Sequence, residues 1–351
     1  MVKGLVLILI VATLVSCEPA TKNRSMQSIN TDSGEPVEQN RPITFPRDHG
    51  PHLEQGIEWW YVTANLTAKT GETFGAQWTL FRTLAPLPFK SAWWDNQLYF
   101  AHFALQHEQT HVAFERFGRK GQANIDGHPF RAYLDDWSLT SHSVEQALFP
   151  LQMTAKEGSY AMDIALDNSP LVLHGDAGYS QKTQSGHASY YFSYPFLEAN
   201  GTLTYQGKQY HVSGNAWYDR EWSASLLDKT QRGWDWFSIV SDENPKQGLM
   251  LFCIRDARQY YDYCSGTRID QQGNATLIEH DAISLLPLDF ITIGGKRYPH
   301  KWQVNLQDSS PIVIETVTKD SINRLAIEYW EGRIISTGGF NGRGYAELLG
   351  Y

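Results

Sequence analysis

The sequence predicts an all-β protein built as two consecutive antiparallel barrels, and three observations carry that reading. Apolar residues rarely recur at helical spacing. Short runs rich in aromatic and β-branched residues alternate instead with Gly, Asn, Asp and Pro, the pattern of strands separated by turns. The series also occurs twice with matching ends. Glu58-Trp-Trp-Tyr-Val leads into Phe74-Gly-Ala-Gln-Trp-Thr-Leu-Phe-Arg82, and Gly233-Trp-Asp-Trp-Phe leads into Gly248-Leu-Met-Leu-Phe-Cys-Ile-Arg255. Gly214-Asn-Ala-Trp-Tyr-Asp219 matches Gly342-Arg-Gly-Tyr-Ala-Glu347 in its glycine, aromatic and acidic spacing. This points to an internal duplication with a boundary near Trp222–Arg232.

In the first series, strands are expected at Glu58–Asn65, Thr73–Arg82, Gln97–Gln106, Thr110–Phe117, Arg131–Thr140, Leu151–Ala155, Tyr160–Leu166 and Leu171–Gly175. Three more follow at His187–Phe196, Gly201–Tyr205 and Tyr210–Trp217. The second series starts at Gly233 and runs to the C-terminus. Even spacing of this kind suits closed or nearly closed barrels, which leave few strand edges unpaired.

Ahead of the barrels the chain reads as an export signal. Lys3 is followed by the apolar run Leu5–Val15, too short to cross a bilayer as a helix. Leu14-Val-Ser-Cys17 resembles the lipobox of bacterial lipoproteins, which implies cleavage before Cys17 and acylation of its thiol. Glu18 after the cysteine favours the outer membrane, periplasmic face, over the inner membrane. Residues 18–42 are polar and are expected to form a flexible tether. The expected organisation is therefore signal peptide 1–17, tether 18–42, a first barrel 43–222 and a second barrel 223–351.

Net charge is −9 with both signs interspersed and no Lys/Arg block, which argues against a nucleic-acid partner. Twelve Trp, 18 Tyr and 16 Phe are a large aromatic load that must be packed or used. Besides Cys17 the cysteines are Cys253 and Cys264, opposed across an expected hairpin turning near Arg258 and Gln259. A disulfide between them suits an oxidising compartment, while cross-strand geometry counts against it.

Seven segments in order resemble the family that joins the AttH-like proteins and the carotenoid 1,2-hydratases. They are Phe45-Pro-Arg-Asp-His-Gly-Pro-His52, Glu58-Trp-Trp-Tyr-Val-Thr-Ala-Asn-Leu66, Ala101-His-Phe-Ala-Leu105, Gly214-Asn-Ala-Trp-Tyr-Asp-Arg-Glu-Trp222, Gly233-Trp-Asp-Trp-Phe-Ser238, Tyr329-Trp-Glu-Gly332 and Gly344-Tyr-Ala-Glu-Leu-Leu-Gly-Tyr351. The resemblance spans residues 43–351 and implies two lipocalin-like β-barrels in tandem. Members are labelled hydratases, secreted hydrolases or accessory components of ABC export systems, and fungal relatives act as pericyclases. The hydratase branch carries Asp-His where this chain has Asp219-Arg220, a departure that counts against carotenoid hydration itself.

The densest polar and aromatic group is Trp217-Tyr-Asp-Arg-Glu-Trp222. On a strand Trp217, Asp219 and Glu221 share one face, and Tyr218, Arg220 and Trp222 the other. Carboxyls facing a Trp-lined interior would be desolvated and retain a proton near neutral pH, which is what protonating an alkene requires. Asp219, Glu221 and Arg220 are thus the candidate catalytic residues, against the plainer alternative of an Arg220–carboxylate ion pair sealing the barrel end. Trp60, His102, Trp217, Trp222 and Trp236 are candidates to line a ligand site. Trp59 or Trp60 is also expected to pack over Arg82, Arg220 or Arg255 at a barrel's closed end, and Glu58 could pair with Arg220. His49 and His52 lack an evident third ligand, so no metal is expected. No serine-hydrolase elbow, Walker loop, dinucleotide fingerprint or zincin motif occurs, so no cofactor is expected.

The expected function is that of an envelope lipoprotein holding a hydrophobic, lipid- or terpenoid-like ligand, with an ABC permease and ATPase as prospective partners and the membrane reached through the lipid. The alternative is a cofactor-free lyase or isomerase of hydratase type, with Asp219 or Glu221 as general acid.

Overall fold

The computed structural model describes residues 34–87, 92–143, 147–307 and 309–351. The export signal, Cys17 and the start of the tether lie outside the described residues.

The first unit contains β1 (Ile57–Ala68), β2 (Thr73–Leu84), β3 (Gln97–His107), β4 (Thr110–Gly118), β5 (Ala123–Gly127), β6 (Phe130–Leu134), β7 (Trp137–Ser141), β8 (Leu151–Glu157), β9 (Tyr160–Asp167), β10 (Val172–Leu173), β11 (Tyr179–Gln181), β12 (Ala188–Tyr205) and β13 (Lys208–Ser223). They form one antiparallel sheet in the order β4-β3-β2-β1-β13-β12-β9-β8-β7-β6-β5, with β10 and β11 also paired to β12. The second unit contains β14 (Gln231–Ser241), β15 (Gly248–Asp256), β16 (Tyr261–Ile269), β17 (Ala275–Ile278), β18 (Ile283–Ile293), β19 (Lys296–Leu306), β20 (Ile312–Thr316), β21 (Ile322–Asn323), β22 (Tyr329–Gly338) and β23 (Gly342–Leu348). Their order is β17-β16-β15-β14-β23-β22-β20-β19-β18, with β21 on β22. In both units the first strand lies between the second and the last, so the duplication read from the sequence ends is a duplication of topology. The fold is all-β, two lipocalin-like units in tandem, the first a nearly closed barrel and the second a half-barrel.

β5 and β11 lie outside the expected strands, and two expected stretches take a different form. Arg131–Thr140 is a hairpin, β6 and β7, because Asp135 takes a left-handed conformation (φ 54°) and turns the chain there. His187–Phe196 and Gly201–Tyr205 are one strand, β12. Gly201 does not break it; a Cβ there would lie 2.1 Å from the carbonyl oxygen of Asp163 on β9, so glycine permits the close pairing.

The aromatic load divides among three clusters. Trp60, Trp78, Phe103, Trp137, Tyr218 and Trp222 fill the first barrel, and Phe237, Trp302 and Trp330 the second. A third cluster, including Tyr61, Phe81, Tyr191, Trp217, Trp236 and Phe252, lies between them. Burial patterns show the consequence. On β9, away from the seam, buried and exposed residues alternate over Met162–Asp167, whereas on β2 every residue from Phe74 to Thr83 is buried. The seam strands therefore bury both faces. In the second unit Cys253 and Cys264 are directly paired on β15 and β16, 4.0 Å apart at Cα, and joined as a disulfide.

The lower end of the first barrel is closed by charge. Glu58 accepts hydrogen bonds from Arg82 Nε at 2.5 Å and from Arg220 Nη2, with all three side chains fully buried. Burial alone would push the Glu58 carboxyl up, but the two guanidiniums and His52 hold it well below the usual carboxylate range. Arg220 is the arginine that covers Trp60, 3.8 Å from its ring centroid. The segment Phe45–His52 is pinned to this cluster: Arg82 donates to the His52 carbonyl, Arg220 to the Gly50 carbonyl, and His52 stacks on Trp222 at 4.0 Å. Residues 35–41, read above as tether, lie against the same end. Glu38 N–H donates to the Tyr190 hydroxyl, and Arg41 pairs with Asp48 at 2.9 Å. The second unit repeats the device with Asp235 and Arg255 at 3.1 Å, covered by Tyr351, whose ring centroid is 3.6 Å from the guanidinium.

Removing the carboxylate from this cluster leaves two guanidiniums buried without a counter-charge. Glu58→Gln is expected to lower unfolding free energy by about 3–5 kcal/mol in urea titrations. Asp320→Asn, which breaks the exposed Arg324–Asp320 pair, should cost no more than about 1 kcal/mol.

Candidate functional site

Strand alternation builds the site from outward-facing residues. On β13, Tyr218, Arg220 and Trp222 turn into the first barrel, so Trp217, Asp219 and Glu221 turn out of it. Trp59 and Tyr61 of β1 and Phe81 of β2 share that outer face. The second barrel presents Trp234 and Trp236 from β14 and Phe252 and Ile254 from β15. Between the two faces is a narrow pocket of about 690 Å³, counting its open mouth. The cavity volume proper, without that mouth, is about 70 Å³.

Its ionisable lining is three carboxyls, one ammonium and two phenols. Asp219 Oδ1 accepts hydrogen bonds from Trp217 Nε1 at 2.8 Å and from the Ser193 hydroxyl. Burial raises its pKa to about 7, against the opposing effect of those donors. Glu347 of β23 accepts from Trp234 Nε1 at 2.8 Å, and burial, with the charges of Asp219 and Glu221, raises it to about 7 as well. Glu221 pairs with Lys182 at 2.9 Å and accepts from Ser189 at 2.5 Å. The Lys182 ammonium lies over the Phe252 ring at 4.0 Å. Tyr191 accepts from Trp236 Nε1 at 3.1 Å, and burial beside Asp219 and Glu221 holds its phenol well above the usual range. Beside the pocket, the Tyr61 hydroxyl donates to Glu331 at 2.5 Å, and burial keeps the Glu331 carboxyl protonated far above its ordinary range. The arrangement can hold carboxylic acids in their proton-bearing form against indole and phenyl faces.

The sequence candidates thus part company. Asp219, Glu221 and Trp236 line the pocket, and Trp217 supports Asp219 from its wall. Arg220 and Trp60 belong to the charged barrel end, and Trp222 stacks there on His52. Asp219 and Glu221 face the seam, not a barrel interior as expected, because the interior is filled by the other face of β13. His102 lies elsewhere on the seam, bonded to Tyr329 at 2.8 Å and Glu115 at 3.1 Å. His52 bonds Asp48 and Glu58, and among the described residues no group of three or more His, Cys, Asp and Glu is placed to hold a metal ion. Sequence reading missed Glu347, Lys182, Tyr191 and Trp234 as site residues. A signal for Glu347 was present, since it is the duplication's counterpart of Asp219. None marked Lys182, which lies in the turn after β11.

Comparison with known proteins places this arrangement in context. The family model described as AttH-like matches residues 36–351. The crystal structure of a candidate AttH from Nitrosomonas europaea is 31% identical, with a TM-score of 0.81, covering 90% of this chain and 99% of that one. Kievitone hydratase from Nectria haematococca is 16% identical, with a TM-score of 0.69 and coverage of 91% and 97%. CghA with Sch210972 is 10% identical, with a TM-score of 0.57 and coverage of 91% and 95%. The last two share the fold alone. No curated protein matches the chain by sequence.

The raised carboxyls carry a signature in stability. Asp219 moves from 3.8 to about 7 on folding, so between those values the folded chain binds more protons and stability falls as pH rises, levelling off above 7. At about 1.4 kcal/mol per pH unit, Asp219→Asn should gain about 2–4 kcal/mol relative to the parent between pH 4.5 and pH 8 in urea unfolding. A constant difference between the two proteins over that range would show that Asp219 titrates as an ordinary carboxyl.

Proposed function

The chain belongs to the AttH-like family, and on that premise we propose that it binds an apolar, terpenoid- or lipid-like molecule in the pocket between its two barrels. The observation that carries the reading is the seam itself. Outer barrel faces normally turn to water, yet here Trp59, Phe81, Trp234, Trp236 and Phe252 line an opening between them. Aromatic walls with a few polar groups at fixed places describe a site for a largely apolar ligand with polar substituents. In this proposal the Cys17 lipid holds the protein at the periplasmic face of the outer membrane, and the cargo is exchanged with an ABC export system.

A second reading rests on a separate observation, the proton-bearing carboxyl of Asp219 among indoles. In it, Asp219 transfers its proton to one carbon of an isolated alkene, forming a C–H bond and leaving the cation over the aromatic faces. Water then adds to the cation, and the proton it loses returns to a carboxylate, Asp219 or Glu347. The arginine at position 220 does not count against this chemistry here, because that position faces the barrel end and not the pocket.

Native mass spectrometry of protein purified from its own envelope is expected to show a co-purifying apolar molecule. Retinol, used as a polyene probe, should quench tryptophan emission, and Trp236→Ala should weaken its binding by about tenfold. Saturable binding unchanged by Trp236→Ala would place the ligand elsewhere. Turnover of an apolar alkene, abolished in a folded Asp219→Asn variant, would select the second reading. Cys17→Ala should release the protein from membranes as folded soluble material, whereas unchanged membrane association would refute lipidation.

A further inference from the structure

Behind the pocket wall runs a line of buried hydrogen bonds that neither functional reading uses. Ser193 on β12 is directly paired with Asp219 on β13, and its hydroxyl bonds Asp219 Oδ1. On the far side of Ser193, His174 Nε2 is 2.7 Å from the serine oxygen. His174 Nδ1 is in turn 2.8 Å from Thr267 Oγ1, a residue of β16 in the second barrel. Asp219, Ser193, His174 and Thr267 are each no more than 2% exposed. The His174 backbone N–H bonds the Tyr191 carbonyl at 3.0 Å, and its ring packs on the Tyr191 ring at 4.2 Å, which fixes the imidazole in place.

Donor counting gives one direction in which the ionised and the Oδ2-protonated carboxyl are both served. A neutral imidazole has one N–H, and each hydroxyl has one proton to give. Asp219 Oδ1 already receives the Trp217 N–H at 2.8 Å. If the serine hydroxyl also points at Oδ1, its oxygen is free to accept from His174 Nε2–H, and Nδ1 then accepts from the Thr267 hydroxyl. Every bond in this direction is satisfied, and both donors converge on one carboxyl oxygen.

We propose that His174 is a positioning residue for the pocket acid: held as the Nε2–H tautomer by the Thr267 hydroxyl of the second barrel, it turns the Ser193 hydroxyl onto Asp219 Oδ1 and leaves Oδ2 to carry the transferable proton. The inference rests on the reading of Asp219 as the pocket's proton donor and adds what prepares it. Seating of the second barrel completes the line, so the acid is set only in the assembled two-barrel protein. The charged and titratable groups around the line are Lys182, which with burial keeps the imidazole neutral, and Glu221, Glu347 and Tyr191 around Asp219.

The test reads the line directly in the full chain. Nitrogen-15 spectra of histidine-labelled protein should show His174 neutral and protonated on Nε2 from pH 5 to pH 8. Infrared titration of the protonated carboxyl band, assigned by its loss in Asp219→Asn, should place the Asp219 midpoint near neutral. Thr267→Val and His174→Phe should each raise that midpoint by about one pH unit, because the anion loses a fixed donor. His174→Gln, whose amide N–H can still meet Ser193, should restore it. An Nδ1–H tautomer in the parent, or a midpoint unmoved in both Thr267→Val and His174→Phe, overturns the proposal while leaving Asp219 as an acid. An Asp219 that titrates with ordinary carboxyls overturns the acid reading and the relay with it.

Discussion

Everything functional in this protein depends on burying both faces of β1, β2, β13 and β14. A β-strand offers two surfaces at a period of two, and a lone barrel needs only the inner one. Here Trp60, Tyr218 and Trp222 fill the inside of the first barrel. Tyr61 and Trp217, neighbours on the same strands, pack outward against the second. The outer face is therefore apolar, and water leaves it only because a second apolar face arrives. Two barrels from one duplicated unit supply that match, and the pocket is the part of the seam where packing is incomplete.

Desolvation at the seam explains the electrostatics. The same burial acts on Glu58 and on Asp219, with opposite outcomes. Glu58 has Arg82 and Arg220 against it and stays ionised. Asp219 has only neutral donors, Ser193, Trp217 and Tyr191, with Glu221 nearby, and keeps its proton toward pH 7. One strand, β13, thus carries a structural charge at position 220 and a proton-holding carboxyl at position 219, on opposite faces.

How much of this was legible in the sequence follows from the range of each signal. Strand existence, the repeat and the alternation on Trp217–Trp222 are local, and they survive in the structure. Two strands are expected on either side of residues 197–200, whereas β12 runs through them, and Gly201 lets β9 pair closely with it. The candidate site was half legible. Asp219, Glu221 and Trp236 stood out by composition, but their partners Lys182 and Tyr191 come from a turn and a strand without any motif. Which face of β13 looks at a ligand was not legible at all, since both faces are aromatic and the choice is made by the docking of the second barrel.

The duplication then explains why acids meet at this seam. Asp219 closes the first unit, and Glu347 closes the second at the matching place in the repeat. In each unit the last strand pairs with the first, β13 with β1 and β23 with β14, so equivalent positions lie on the first-and-last-strand face of each barrel. When those faces are set against each other, the two acids come to one pocket, where the charge of Asp219 raises the affinity of Glu347 for a proton. Their surroundings are unequal. Both accept from an indole of their own barrel, Trp217 and Trp234, but only Asp219 has a serine and a histidine behind it. The two carboxyls at the matching ends of the repeat are thus both raised to about 7 but differ in the groups that hold them, and proton transfer in two directions calls for two carboxyls within one pocket.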